Sequence, residues 1–446
     1  MFWAHATRLT KYLGLSLNSN RAPFFQEKKR PQLNVFQTIA ILLTFAAIGS
    51  YINKRFLRLP TSIGMMLFAL LLSWAAMGCA ELGLIDLQPV SDFVSNIDFS
   101  KLFLHGMLSF LLFAGALHLD LVELKKYRVI VAALATIGVV IATFATGSLI
   151  WITTRLIHVD MPYLYALLFG ALISPTDSVA VLSILKDSVL AKTLRLKIGS
   201  ESLLNDGVGV VIFLVLSGIA ASPASAASLS FNDIAMMLLW QGGGSIAIGL
   251  ALGWVTYILL RDIDDYKTEV LFTLALAAGG YSFAEAMGVS APITMVIAGL
   301  VVGNHGLALA LRHKPRKHLD MFWELLDDIL NAVLFLLIGF EVMIVPLTTP
   351  HLILGIVAIL ATLGGRFVSV AIPIQLAKRH MRFERGAIRL LTWGGLRGGI
   401  SIAMALSLPA SPYKAVILGM TYLTVVFSVL VQGTTFSAVV KKVVRK

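Results

Sequence analysis

The strongest constraint on this chain is an apolar stretch of about 20 residues that recurs thirteen times, separated by short polar connections. As a helix, each stretch is long enough to cross a hydrocarbon layer about 30 Å thick. The stretches lie near 33–53, 59–78, 101–119, 128–157, 163–186, 198–220, 233–260, 268–287, 291–311, 323–346, 352–376, 386–408 and 415–440. Apolar residues make up 58% of the chain and charged residues 13%, with a mean hydropathy of +0.86. Water cannot solvate that much apolar surface, so the solvent is a bilayer and the fold class is an all-α polytopic membrane protein. A soluble enzyme, a nucleic-acid binder and a disordered chain are excluded. Cys79 is the single cysteine; alone it forms neither an internal disulfide nor a metal site, and it reads as a small packed hydrophobe.

The net charge of +12 is a topology signal. The odd-numbered connections and the C-terminal end carry 24 Lys and Arg, whereas the even-numbered connections carry three: Lys101, Arg155 and Lys414. That bias places the odd connections and the C-terminus in the cytoplasm, and it accords with an odd number of spans. Residues 1–32 do not follow this rule. They hold Arg8, Lys11, Arg21, Lys28, Lys29 and Arg30 against the single acid Glu27, on the side the rule assigns outside. Three readings compete: a targeting segment, a basic arm held inside, or upstream codons that are not native. The clean start of the membrane pattern at Leu33 favours the last. Connections are short throughout, and the chain stops soon after its last span, so the expectation is a membrane unit over 33–440 with a short tail, 441–446, and no regulatory domain.

Ionisable groups at mid-membrane cost several kcal/mol and mark function or pairing. Four places stand out. Span 5 contains Ser174-Pro175-Thr176-Asp177-Ser178. Pro175 removes a backbone donor and breaks the helix, and the freed polar groups at Thr176 and Asp177 must be satisfied by protein, water or ion. The blander reading is a kinked packing helix capped by Asp177, which is compatible with a site. Span 6 places Glu201, Ser202, Asn205 and Asp206 at i, i+1, i+4 and i+5, one polar stripe on a helix. Two carboxylates, a hydroxyl and an amide oxygen suit a hard cation such as Na⁺; a polar seam between helices would not need two acids. Span 11 holds Gly364-Gly365-Arg366, and span 12 holds Gly394-Gly395-Leu396-Arg397-Gly398-Gly399. Four glycines around Arg397 make a poor helix centre and predict an unwound segment. Arg366 and Arg397 each need a buried acid or exposed carbonyls, with Glu201, Asp177 and the freed helix ends as candidates. Both arginines read as charge-balancing and not as ion ligands.

Weaker signals are His105 and His118 in span 3, and Asp120 at its end. Asp327, Asp328 and Glu341 read as interfacial or helix-pairing, and Gly249 with Gly253 as a close-packing pair in span 7. The two predicted breaks lie seven spans apart, so their helices run in opposite directions. That is the pattern of an inverted repeat with a site at the repeat interface. Spans 4–6 then pair with 11–13, spans 1–3 with 8–10, and span 7 links them.

These residues are similar to those of the NhaP-type monovalent cation/proton antiporters, relatives of the animal sodium/hydrogen exchangers. The matching stretches are Ser-Pro-Thr-Asp at 174–177, Glu-Ser-Leu-Leu-Asn-Asp-Gly at 201–207, Gly-Gly-Arg at 364–366 and Gly-Gly-Leu-Arg-Gly-Gly at 394–399. Phe-Ala-Gly-Ala-Leu-His-Leu-Asp at 113–120 also looks like the family's third helix. The likeness spans about 33–440; Ser178 departs from it, since the family often has Pro there. The resemblance implies a homodimer in the bacterial inner membrane, moving by elevator-like alternating access. Its core part is 128–220 and 352–440, its scaffold part 33–119 and 268–346, and its linker helix 233–260. It implies that Asp206 binds the ion or the proton, that Ser202 and Thr176 add oxygen ligands to a Na⁺ ion, and that Asn205 stands where electrogenic relatives carry a second Asp. It also implies pairing of Glu201 with Arg366. No cofactor beyond the transported cation and proton, and no nucleic acid, is expected. With one carboxylate left to load, exchange of Na⁺, Li⁺ or K⁺ for a proton reads as electroneutral and one to one, serving pH and sodium homeostasis. Two other classes compete with this reading: an intramembrane protease using Asp177 and Asp206 as an acid pair, whose Gly-x-Gly-Asp signature this sequence lacks, and a symporter or channel.

Overall fold

The computed structural model describes residues 35–86, 88, 97–185, 191–221, 231–263, 265–308, 317–345, 349–378, 383 and 386–444. The N-terminal stretch 1–32 lies outside the described residues. Among the described residues thirteen long or broken helical segments follow in order: α1 Phe36–Leu57, α2 Thr61–Glu81, α3 Phe99–Leu117 and α4 Arg128–Leu156; α5, in the halves Tyr163–Ile173 and Val179–Ile184, and α6 Ala191–Ala221; α7 Ala235–Asp262; α8, from Tyr266–Ala275 through Leu276–Gly280 to Tyr281–Ala286; α9 Ala291–Ala308, α10 Lys317–Phe340 and α11 Thr349–Ala377; α12, in the halves Ala387–Trp393 and Gly399–Ser407; and α13 Lys414–Val443. The predicted spans and breaks are therefore present, with ends shifted by a few residues. Among the described residues, eight segments are long and apolar enough to cross a membrane unbroken. The interruptions shorten α5 and α12, α9 is described as an apolar helix only over the shorter stretch Ala291–Asn304, and α8 and α10 carry acids along their length.

The surface of these helices inverts the rule for a water-soluble protein. Phe36, Leu43, Trp74, Phe144, Trp254, Leu271 and Leu360 all face outward. Such a surface is stable only against lipid, where a helix satisfies most of its backbone groups within its own segment. The protein is a multi-pass membrane protein.

The packing order follows the repeat. α2 lies against α10, and α3 against α9; a two-fold that exchanges spans 1–3 with 8–10 interchanges these two pairs. α4 lies against α11, a pair that the same operation maps onto itself. α7 packs along α9. A Cβ on Gly249 would stand 2.7 Å from the Thr294 carbonyl oxygen, and one on Gly253 3.1 Å from that of Ala298. Close backbone approach therefore accounts for the small pair read from the sequence. Asn304 of α9 stitches the end of α3. Its Oδ1 accepts from Leu121 N (2.7 Å) and its Nδ2 donates to Leu119 O (2.8 Å). There Asp120 caps a short helix, Leu121–Lys125, by accepting from the Val122 and Glu123 amides.

At the centre, the two broken helices cross. Asp177 N donates to Leu396 O at 2.8 Å, an isolated antiparallel bridge between the unwound parts of α5 and α12. Pro175 cannot donate, and Gly394 to Gly399 cannot hold a helix well, so both chains unwind at the same depth and satisfy part of each other's backbone.

Candidate functional site

The crossover leaves backbone groups that side chains must satisfy, and Arg397 does much of this. Its Nη1 donates to Ser174 O (2.5 Å) and Pro175 O (2.9 Å), the carbonyls freed at the end of the first half of α5. Its own amide donates to Ser428 Oγ (2.9 Å), which donates on to Gln432 Oε1 (2.7 Å), and Gln432 Nε2 donates to Trp393 O (3.1 Å). Arg366 instead meets an acid: Nη1 donates to Glu201 Oε1 at 2.5 Å, and Nε to Leu391 O at 3.3 Å. Glu201 is only 1% exposed, so this ion pair is shut away from water. The two arginines thus use two of the partner classes anticipated for them: a buried acid and a freed helix end.

The polar stripe of α6 divides by direction. Glu201 turns to Arg366, as above. Ser202 Oγ donates to the Thr176 carbonyl. Asn205 is held at both ends of its amide by one residue: Nδ2 donates to Thr176 Oγ1 (2.8 Å), and Oδ1 accepts from Thr176 N (3.1 Å). Asp206, half-buried, points into a cavity of about 610 Å³. Among the described residues no hydrogen bond or ion pair occupies its carboxylate. Thr176, Asp177, Ser202 and Gly398 line the same cavity, and Asp177 Oδ1 accepts from Val179 N at 2.9 Å as the second half of α5 begins. Glu201 and Asn205 do not line it. Ser178, where the motif often carries Pro, still starts that half-helix, its carbonyl accepting from Leu182 N at 2.8 Å. A Cβ on Gly398 would run into the Asp177 side chain, so the glycine there lets the carboxylate reach the crossover.

Sequence reasoning missed the far wall. The sequence suggests an interfacial or helix-pairing Asp327; in the structure it lines the cavity from α10, with Glu324 and Asn331 beside it. His118, Asp120 and Glu123 contribute from α3 and the short helix, and Arg195 from α6. Periodicity alone could have found Asp327, because Glu324, Asp327 and Asn331 share one face at i, i+3 and i+7. Which helix that face meets is not written in the spacing. Among the described residues the cavity wall carries six acids, Asp120, Glu123, Asp177, Asp206, Glu324 and Asp327, against one arginine, in a chain whose net charge is +12. Positive charge is gathered on the loops and negative charge in the cavity, which concentrates cations there.

A family profile described as sodium/hydrogen exchanger, transmembrane, matches residues 41–442. The chain is 41% identical over 413 residues to the Na(+)/H(+) antiporter NhaP of Pseudomonas aeruginosa, covering 91% of this chain and 96% of that protein. It is 32% identical over 416 residues to the Na(+)/H(+) antiporter NhaH of Halobacillus aidingensis, covering 92% and 97%. Among solved structures, the sodium proton antiporter MjNhaP1 from Methanocaldococcus jannaschii superposes with a TM-score of 0.70 at 20% identity, over 93% of this chain and 100% of that one. That likeness establishes the fold: an all-helical antiporter fold with two broken helices crossing at its centre. With a profile match running from α1 to the end of α13, the chain belongs to the sodium/hydrogen exchanger family of transmembrane proteins.

Proposed function

We propose that this protein exchanges one monovalent cation, Na⁺ first among the candidates, for one proton across the bacterial inner membrane. The observation that carries the reading is Asp206: a carboxylate lining a cavity of about 610 Å³ inside the membrane, with Ser202, Thr176 and Asp177 beside it and, among the described residues, no donor engaging it. A proton and a hard cation compete for such an oxygen, and each excludes the other. The relatives' names as Na(+)/H(+) antiporters support the choice of ions.

The charges at the crossover support a ratio of one to one. Glu201 is neutralised by Arg366. Arg397 brings a second positive charge to the carbonyls beside Asp177. Asp177 and Asp206 then leave the site one negative charge in excess. One proton or one Na⁺ makes it neutral; empty, it would carry a net charge into low dielectric, which is costly. Only the loaded site therefore crosses, and exchange is obligatory. Asn205, neutral and held by Thr176, adds no second charge. The moving part is taken as 128–220 with 352–440, sliding against 33–119 with 268–346 joined by 233–260, in a homodimer whose C-terminus is cytoplasmic.

The test uses the purified protein in vesicles carrying an imposed pH gradient. Added Na⁺, with Li⁺ and K⁺ run beside it, should dissipate the gradient, and Asp206→Asn should abolish the effect while the protein keeps its unfolding temperature. Undiminished exchange by that variant refutes the assignment.

A further inference from the structure

Behind the crossover, on the side away from the large cavity, α11, α12 and α13 enclose a second and much smaller void of about 10 Å³. Thr362 and Arg366 face it from α11, and Thr392, Gly395 and Arg397 from α12. Three of the polar atoms around it, Thr362 Oγ1, Thr392 Oγ1 and Arg397 Nε, are buried and make no hydrogen bond to protein. Thr362 and Arg397 are 4% and 2% exposed. The neighbouring groups cannot help. Arg397 Nη1 is committed to Ser174 and Pro175, and Arg366 to Glu201 and Leu391. Thr424 Oγ1 donates to Met420 O, and Gln432 is used at both ends of its amide. Orphaned polar atoms that converge on one small void are rare in folded proteins.

We propose that this void is a binding site for one water molecule, which bridges Arg397 Nε, Thr362 Oγ1 and Thr392 Oγ1. The room matches: about one sphere of water-centre volume is what a single water needs, and three polar partners is the usual number. The chemistry matches as well. Arg397 Nε–H is only a donor, so the water oxygen accepts from it, and the two water protons go to the threonine oxygens, which can accept. A cation is excluded by the two guanidiniums facing the void. A chloride ion, with about the volume of a larger sphere, has no room. The water closes a link that side chains alone leave open: it ties α11 to the half of α12 before the crossover and to the arginine that holds the carbonyls of α5. It is thus a fixed part of the back wall of the site and not a step in transport, and the proposal stands whether or not the ion reading does.

The experiment is a cryo-EM or crystal map of the full chain in lipid at a resolution that shows ordered water. The expected result is one peak within about 3.2 Å of all three atoms. An empty void, or a peak touching fewer than two of them, overturns the proposal. Thr362→Val and Thr392→Val, which keep the side-chain shape, give a second arm. Each should lower the unfolding temperature by about 2 °C or more, and the double variant should fall no further than the worse single one, because both hydroxyls act through the same water. Additive losses, or no loss in either, contradict a shared water. Should a variant fail to fold, the wild-type map still decides.

Discussion

At the scale of the residue, the pair Glu201–Arg366 shows how burial changes the worth of a contact. An exposed ion pair contributes little, as Lys101–Asp98 at 3.1 Å on the surface illustrates. Glu201 and Arg366 are shut away, so removing either leaves a buried charge without its counter-ion. Glu201→Gln is expected to destabilise the protein by about 3–5 kcal/mol, measured by denaturation in detergent. Replacing both residues by apolar ones of similar size, Glu201→Leu with Arg366→Met, should recover most of that loss; a double variant as unstable as the sum of the singles would show that the pair is not an isolated unit. Asn205 tests the charge count. Asn205→Asp adds one negative charge beside Thr176, so the site then needs one more positive charge to become neutral. Exchange should become sensitive to membrane potential, read as a change in rate when a potassium diffusion potential is imposed on the vesicles. The pairing of Glu201 with Arg366 was readable from sequence only through family likeness. The spacing alone offered Arg366 three candidate partners, and which one it meets depends on the rotation of α11 against α6.

At the scale of the element, the two broken helices were legible because their cause is local. Pro175 and the glycines of 394–399 break a helix wherever they stand. What was not legible is the contact between the breaks, since Asp177 N to Leu396 O joins residues 219 positions apart. Gly398 makes this contact tight, so Gly398→Ala should be far more damaging than a helix-propensity gain would suggest. It is expected to reduce the rate of exchange at least about tenfold, with Gly78→Ala, whose Cβ meets nothing within 4 Å, as the silent control. Equal activity in the two variants would remove Asp177 from the crossover argument. Helix ends outside the membrane respond to pH instead. Asp98 caps the start of α3, where the Lys101 amide donates to its Oδ1 at 3.0 Å and holds its carboxyl below the ordinary value of 3.8. Because the folded value is the lower one, this cap contributes fully above the ordinary value and is lost as pH falls through the lowered one. Asp98→Asn, which lacks the titrating group, should show a smaller loss of unfolding temperature between pH 5 and about pH 3 than the parent; identical acid profiles would remove the cap from the acid response.

At the scale of the whole molecule, the loops and the cavity divide the charge between them, and this division has a direction. Asp120 and Glu123 on the cavity wall stand beside Lys125 and Lys126 in sequence, and Arg195 lies on the same stretch as Lys197, all within connections of the basic class. The cavity is therefore expected to open on the side of the basic loops, and the Lys/Arg bias predicts that side to be the cytoplasm. The conclusion needs both halves: the bias was complete in the sequence, but the alignment of α3, α6, α10 and α12 around one space was not. It can be checked with the chain's own chemistry, because Cys79 is the sole thiol and Cys79→Ser removes it. In that background, Glu324→Cys and Asp327→Cys place a thiol on the cavity wall without touching Asp206. A membrane-impermeant thiol reagent should label both in inside-out vesicles and neither in right-side-out ones, and Glu324→Cys, nearer the start of α10, should react faster than Asp327→Cys. Because both positions belong to the acidic wall, each substitution should also raise the Na⁺ concentration needed for half-maximal exchange at low ionic strength, with the difference shrinking as salt approaches 0.15 M and the screening length falls to about 8 Å. Labelling from the opposite face would reverse the orientation while leaving the charge argument standing; a salt-independent affinity would sink the charge argument while leaving the orientation.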